Sequence, residues 1–78
     1  MQLTIKYFGM VAEATNTDED IIEVAPCQVS QLIDDLKKRY VALENIEFKV
    51  AVAQELVGDT FSVEEPTEIA LLPPFAGG

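Results

Sequence analysis

The sequence contains no histidine, and only five lysines and arginines stand against fourteen aspartates and glutamates. Without histidine the chain lacks the side chain that most readily exchanges a proton near neutral pH. No pair of carboxylates has a spacing that suggests more than solvated surface, so the chain supplies no general acid or base of its own. The formal charge of -9 repels phosphate backbones and anionic lipid, which excludes nucleic-acid and membrane-surface binding. A partner with a basic or mixed surface is instead steered toward the protein, faster at low salt. Cys27 is the single cysteine, so no internal disulfide is available, and that suits a reducing compartment. Nor is there a basic N-terminal segment followed by an apolar run, or a stretch of eighteen consecutive apolar residues. A soluble cytoplasmic protein is expected.

What remains is enough for one small domain. Seventy-eight residues with 49% hydrophobic content can bury one core of modest stability. The segment Gln2-Leu3-Thr4-Ile5-Lys6-Tyr7-Phe8 alternates until its end and reads as a strand with Leu3, Ile5 and Tyr7 inward. Phe8 breaks the pattern, because by parity it shares the polar outer face with Thr4 and Lys6. Met10 to Ala14 has room for a helical turn or two, with Met10 and Val11 read as packing. Thr15 to Asp20 reads as a loop whose Asp18-Glu19-Asp20 is solvated, since consecutive side chains diverge too far for a metal site. Ile21 to Val24 is a second short strand, stopped by Pro26 and paired antiparallel with the first.

Val29 to Tyr40 is the main helix, with Val29, Leu32, Ile33, Leu36 and Tyr40 at helical spacing. Asp34 and Asp35 nearer its start and Lys37, Lys38 and Arg39 near its end suit the helix dipole. After a linker through Glu47, Phe48 to Gln54 alternates again, with Phe48, Val50 and Val52 on one face. Phe61 and Val63 form a short bridge, and Glu68 to Leu72 is the last strand. This order of elements describes an α+β domain whose mixed sheet is covered by a helix on one face.

The domain is expected over residues 1–72, followed by a tail of Pro73, Pro74, Phe75, Ala76, Gly77 and Gly78. Two prolines remove two N–H groups and lock two φ angles, so the tail projects rather than joining the sheet. Extended, it reaches roughly 20 Å at about 3.3 Å per residue, far enough to enter another protein's active site. Neither Gly77 nor Gly78 has a Cβ, so both can pass through a narrow channel and present the terminal carboxylate as a reactive group. Phe75 has nothing of its own to bury against in such a tail and suits a partner's pocket.

Several of these stretches together resemble the small subunits of molybdopterin synthase, the sulfur carriers of molybdenum-cofactor biosynthesis. They are Tyr7-Phe8-Gly9, the helix opening at Val29, Val50-Ala51-Val52-Ala53-Gln54, and Glu68 through Leu72-Pro73-Pro74-Phe75-Ala76-Gly77-Gly78. The likeness spans nearly the whole chain, and its specific part is the strand leading into Leu-Pro-Pro, two residues and Gly-Gly. The chain departs from the family pattern at three places. Ala53 stands where Asn is usual, Ala12 where a basic residue is usual, and Glu65-Pro66-Thr67 where an Asp-Gly turn is usual. The first two bear on partner contacts.

The resemblance implies a single β-grasp, ubiquitin-like domain whose first and last strands are parallel and adjacent. It implies that an adenylyltransferase of the ubiquitin-activating type uses ATP to adenylate Gly78. A sulfur-donating enzyme then converts Gly78 to a thiocarboxylate, whose ionised, polarisable sulfur is a good nucleophile. The synthase large subunit takes in the tail, and sulfur passes to cyclic pyranopterin monophosphate. Two sulfurs per dithiolene fit a heterotetramer of two large and two small subunits. In this scheme the chain is a non-catalytic, sulfur-donating cosubstrate that binds no cofactor or metal.

An apolar cluster on the outer face of the sheet is a candidate docking patch. Phe8 lies there by parity, Ala70 and Leu72 lie there if Ile69 and Leu71 face the helix, and Leu56 sits in the turn after the third strand. The resemblance likewise assigns partner docking to Phe8, Leu56 and Leu72; the alternative is that Phe8 and Leu72 are covered by the tail itself. Cys27 beside Pro26 reads as a half-buried small residue rather than a sulfur relay. Three other functions fit the same layout: a carrier for another pathway, such as thiazole or tungsten-cofactor synthesis, a modifier conjugated through Gly78, or a non-covalent interaction module.

Overall fold

The computed structural model describes residues 1–74. Strand β1 (Gln2–Tyr7) buries Leu3, Ile5 and Tyr7 on one face, as its alternation requires. It turns through helix α1 (Gly9–Thr15) into β2 (Glu19–Glu23), which lies antiparallel beside it with Thr4 opposite Ile21. A two-residue strand β3 (Cys27–Gln28) leads into helix α2 (Val29–Arg39), followed by a 3-10 turn (Val41–Asn45). The chain closes with β4 (Lys49–Val52), β5 (Glu55–Val57), β6 (Ser62–Val63) and β7 (Thr67–Leu72). The five-stranded sheet runs β2-β1-β7-β4-β5, and β3 pairs with β6 apart from it.

The last strand is therefore the central one. β7 pairs parallel with β1, in register Tyr7 with Leu71, and antiparallel with β4, in register Ala70 with Ala51. A parallel pair needs a long crossover, and here every other element of the domain lies within that crossover. Ile69 and Leu71 of β7, Val50 and Val52 of β4, and Leu32 and Leu36 of α2 fill the core with the β1 residues. Each fully buried side chain of this size contributes about 1.5–3 kcal/mol.

Helix α2 starts at Val29 because its first amides have partners there. Gln28 and Gln31 form a reciprocal capping box, in which the Gln28 N–H donates to Gln31 Oε1 at 3.0 Å. The N–H groups of Val29 and Ser30 donate to the carbonyls of Phe61 and Asp59 at 2.9 and 3.0 Å. Lys37, Lys38 and Arg39 occupy the last turn, where the dipole favours cations. Asp34 and Asp35 do not occupy the first turn. They fall mid-helix, so the expected complement at the start is absent and the amide partners replace it.

Two boundaries here differ from the sequence reading. Thr15 is not loop but the buried end of α1, its Oγ1 donating to the Thr17 carbonyl at 2.9 Å. β2 begins at Glu19, ahead of the expected Ile21. Asp20 consequently leaves the solvated loop assigned to it: alternation turns its side chain to the inner face, where Tyr7 and Tyr40 both donate to its Oδ2, at 2.8 and 2.5 Å. The two rings meet edge to face with centroids 5.8 Å apart. β1, β2 and the end of α2 are thereby tied at one carboxylate.

Burial first, and then the Asp20 carboxylate, push the Tyr7 phenol far above its ordinary value; for Tyr40 the hydrogen bond to Asp20 leads. Both phenols hold their protons more tightly folded than unfolded. Their contribution is fully present below about pH 10, the unfolded tyrosine value, and is lost as pH rises above it. Urea midpoints measured from about pH 8 to about pH 11.5 should fall above about pH 10. Tyr40→Phe should cost about 1 kcal/mol at neutral pH and flatten that decline, since one of the two titrating groups is gone; a decline of undiminished slope would contradict the assignment.

Candidate functional site

The face of the sheet opposite α2 is built by cross-strand register. Lys6, Ala70, Ala51 and Leu56 form one row across β1, β7, β4 and β5, because each is directly opposite the next. Leu72 and Lys49 form the next row. Phe8 follows Tyr7 with extended backbone, φ -126 and ψ 150, and its N–H donates to the Leu71 carbonyl at 3.3 Å. The parallel register thus continues one step and brings Phe8 beside Leu72. Phe8 is 44% exposed and Leu56 62% exposed, whereas Leu72 is half-buried.

The structure therefore places Phe8, Leu72 and Leu56 on one face, with Leu56 on strand β5 rather than in the turn where the sequence reading put it. Leu56 lies two strands across from Leu72 and two residues along, about 12 Å at the usual spacings. Between them, methyl side chains at Ala51 and Ala70 keep the surface low, and Ala51 is buried despite facing outward. Lys6, Lys49 and Glu68 stand on the same face, with Lys6 Nζ 3.8 Å from a Glu68 oxygen. The result is an apolar surface with a shallow floor and charged margins, suited to a convex apolar partner. Parity with Leu72 already places Ala70 on this face, but Ala51 beside it was not legible, because Val50-Ala51-Val52-Ala53 gives no clue to what sits across the strands.

At one end of this face lies the root of the tail. Gly9 has φ +54, and a Cβ built on it would stand 3.0 Å from Cγ of Pro73. Glycine is required there twice over, by the left-handed backbone and by the proline against it. β7 ends at Leu72 because Pro73 has no N–H to continue the ladder. Pro73 and Pro74 are half-buried, and Pro74 lines a groove with Ile33, Ile46, Phe48 and Val50. The direction in which the chain leaves the domain is set before the tail begins. Phe75, Ala76, Gly77 and Gly78 lie outside the described residues.

The remaining singled-out positions take structural places. Ala53 and Gln54 form the two-residue hairpin turn between β4 and β5, with φ +51 and +71. Such a turn favours Asn or Gly, so alanine at 53 is strained by about 1 kcal/mol. Ala12 is half-buried on α1. Val11 is buried, but Met10 is 49% exposed rather than packed. Cys27 is half-buried in β3, its thiol pushed up by burial and by the Asp35 charge, which makes it a poorer nucleophile. Among the described residues, no group of three acidic, cysteine or histidine side chains is arranged to hold a metal, and no helix is long and apolar enough to cross a membrane.

Comparison with known proteins agrees with this layout. The model of the ThiS family matches residues 5–78. A molybdopterin synthase sulfur carrier subunit from Caenorhabditis briggsae is 32% identical over 83 residues, an alignment covering 100% of this chain and 99% of that protein. Among solved structures, a molybdopterin converting factor subunit 1 from Pyrococcus furiosus superposes with a TM-score of 0.86 at 21% identity, covering 96% of this chain and 99% of its own. The small archaeal modifier protein 1 of Haloferax volcanii superposes with a TM-score of 0.84 at 22% identity, over 100% of both chains. The fold is the ubiquitin-like β-grasp that the resemblance implied, with β1 and β7 parallel and adjacent.

The contact at Gly9 can be tested directly. Gly9→Ala should lower stability by about 1 kcal/mol from the positive φ alone, and should shift the amide and side-chain resonances of Leu72 and Pro73 as the proline is pushed away. Leu72 and Pro73 resonances that stay in place would show that the tail root is not set by this contact.

Proposed function

The chain belongs to the ThiS family, and from that membership we propose that it is the sulfur-carrier subunit of a molybdopterin synthase, loaded at the carboxylate of Gly78. The observation that carries this reading is the 32% identity, from end to end, to a sulfur carrier subunit of that synthase. The family match also runs through residue 78 and so takes in the Pro-Pro stem and both glycines.

The chemistry follows from what a carboxylate lacks. Its charge and resonance repel nucleophiles, so it must be activated. An ATP-dependent adenylyltransferase joins a Gly78 oxygen to the α-phosphorus and releases pyrophosphate. Sulfur from a donor enzyme then adds to the acyl carbon and AMP leaves, so that one carboxylate oxygen is replaced by sulfur. The thiocarboxylate is ionised at neutral pH and attacks as sulfur. ATP belongs to the activating enzyme, and the chain itself is a cosubstrate that is loaded again after each transfer.

The domain's part is to dock and to aim. Phe8, Leu56 and Leu72 offer an apolar face to the large subunit and to the activating enzyme, while Pro73 on Gly9 directs the tail into the active site. Phe75 anchors the tail in a partner pocket, and Ala76, Gly77 and Gly78 fit a narrow channel. Transfer of two sulfurs to cyclic pyranopterin monophosphate requires two loaded carriers, in keeping with an assembly of two large and two small subunits. The net charge of -9 speeds encounter with partners of basic surface.

A second reading is a protein modifier, favoured by the close superposition on the small archaeal modifier protein 1. Activation of Gly78 would be shared, and the two readings differ in the nucleophile, sulfur or a lysine amine. Intact mass after incubation with an activating enzyme, ATP and a sulfur donor separates them. The carrier reading expects one oxygen replaced by sulfur, localised to a C-terminal fragment and absent when Gly78 is deleted. An unchanged terminus, with an activating enzyme shown to load another carrier, would overturn it, and isopeptide ladders in cells would favour the modifier.

The docking face makes its own prediction. Phe8→Ala should weaken binding of the large subunit about tenfold, about 1.4 kcal/mol, and Leu72→Asp should weaken it more by burying a charge. Affinities unchanged in both variants, measured by calorimetry on folded protein, would remove this face from the interface.

A further inference from the structure

A groove of about 570 Å³ runs between helix α2 and residues 46–48, which lead into β4. Ile33 of the helix and Ile46 and Phe48 of the other wall line it. Each is half-buried and packed on the core from outside, so an apolar surface is left open to water. Pro74 lines the same groove, and the register of the central strand explains why. β7 ends with Leu72 opposite Lys49. The same antiparallel register carried two residues further sets Pro73 against Phe48 and Pro74 against Glu47. Neither proline has an N–H to bond there, so the ladder stops while the chain stays alongside.

Four residues follow Pro74, and the first of them is Phe75. The peptide bond fixes its Cα about 3.8 Å from that of Pro74. A benzyl side chain is thus tethered at the margin of a groove whose apolar lining lacks a cover among the described residues. A tether this short gives an effective concentration on the order of millimolar or above, which a segment from a partner or a second copy would have to exceed. Charge selects the ring and not the carboxylate. The rim carries Asp34, Glu44, Glu47 and Asp59 against Lys37 and Lys49. Its acidic excess repels the α-carboxylate of Gly78, and the three residues after Phe75 can hold that group up to about 10 Å away at about 3.3 Å per residue.

We propose that in the isolated protein Phe75 docks back into this groove, against Ile33, Ile46 and Phe48. The ring extends the core outward between α2 and the approach to β4, with Phe48 available as an aromatic partner. Gly77 and Gly78 stay outside it. A partner pocket for Phe75 then competes with the chain's own groove, and apparent affinity for that partner falls with the fraction of molecules whose tail is undocked. That consequence rests on the carrier reading; the docking itself does not.

The test uses isolated full-length protein with labelled isoleucine methyl groups and phenylalanine rings, followed by NMR. Nuclear Overhauser contacts are expected from the Phe75 ring to the methyls of Ile33 and Ile46. Both sets of methyls should shift with Phe75→Asp, a change in the tail that leaves the packed core untouched, and Ile46→Asp should abolish the contact to Ile33. The contacts should survive about 0.5 M salt, where exposed charges are screened. Absence of the contacts in the unaltered protein, isoleucine methyls unmoved by Phe75→Asp, or loss of the contacts in salt would each overturn the proposal. So would contacts that form between molecules in a mixture of labelled and unlabelled protein, since the ring would then come from a second copy. Neither sulfur nor an activating enzyme enters this test, so its failure leaves the carrier reading where it stands.

Discussion

The parallel pairing of β1 with β7 is the constraint on which the rest of the molecule depends. It joins the two ends of the domain in the middle of the sheet, so that Leu3, Ile5 and Tyr7 share a core with Ile69 and Leu71. The same register decides events at the surface. Tyr7 opposite Leu71 brings Phe8 to Leu72, and one residue further it brings Gly9 under Pro73. A slip of one residue would turn every side chain of β7 to the other face. The alternation that fills the core therefore also sets the exposed apolar face and the exit of the chain at Pro73.

The two faces of the sheet are managed by different means. The inner face is filled by α2 and sealed at one corner by Asp20, whose carboxylate receives both tyrosine hydroxyls. A half-buried carboxylate is tolerated there because two donors satisfy one of its oxygens. Among the described residues, no element covers the outer face. Its exposed Phe8 and Leu56 and the low alanine floor between the strands would cost solubility in an isolated protein, and the net charge of -9 offsets that cost.

The division of labour in the proposed function follows from rigidity. A reactive carboxylate that must visit more than one active site cannot be built into a packed domain, and a tail without a fixed root would lose entropy at every docking. Half-burying Pro73 and Pro74 against the domain fixes the root of the tail before any partner binds.

By itself, the sequence determined the layers, the main helix, the inward residues of β1 and β7, and the character of the tail. Each of these is written in a local period or in residues with locked or permissive backbones, and the resemblance added the pairing of the end strands. It put Asp20 in a loop and Leu56 in a turn, because both lie in short strands whose extent no local period marks. It placed Ala70 on the outer face but was silent on Ala51 beside it and on Pro73 against Gly9. Those are relations between segments far apart in the chain, and only the tertiary register, set by burial of the whole core at once, decides them.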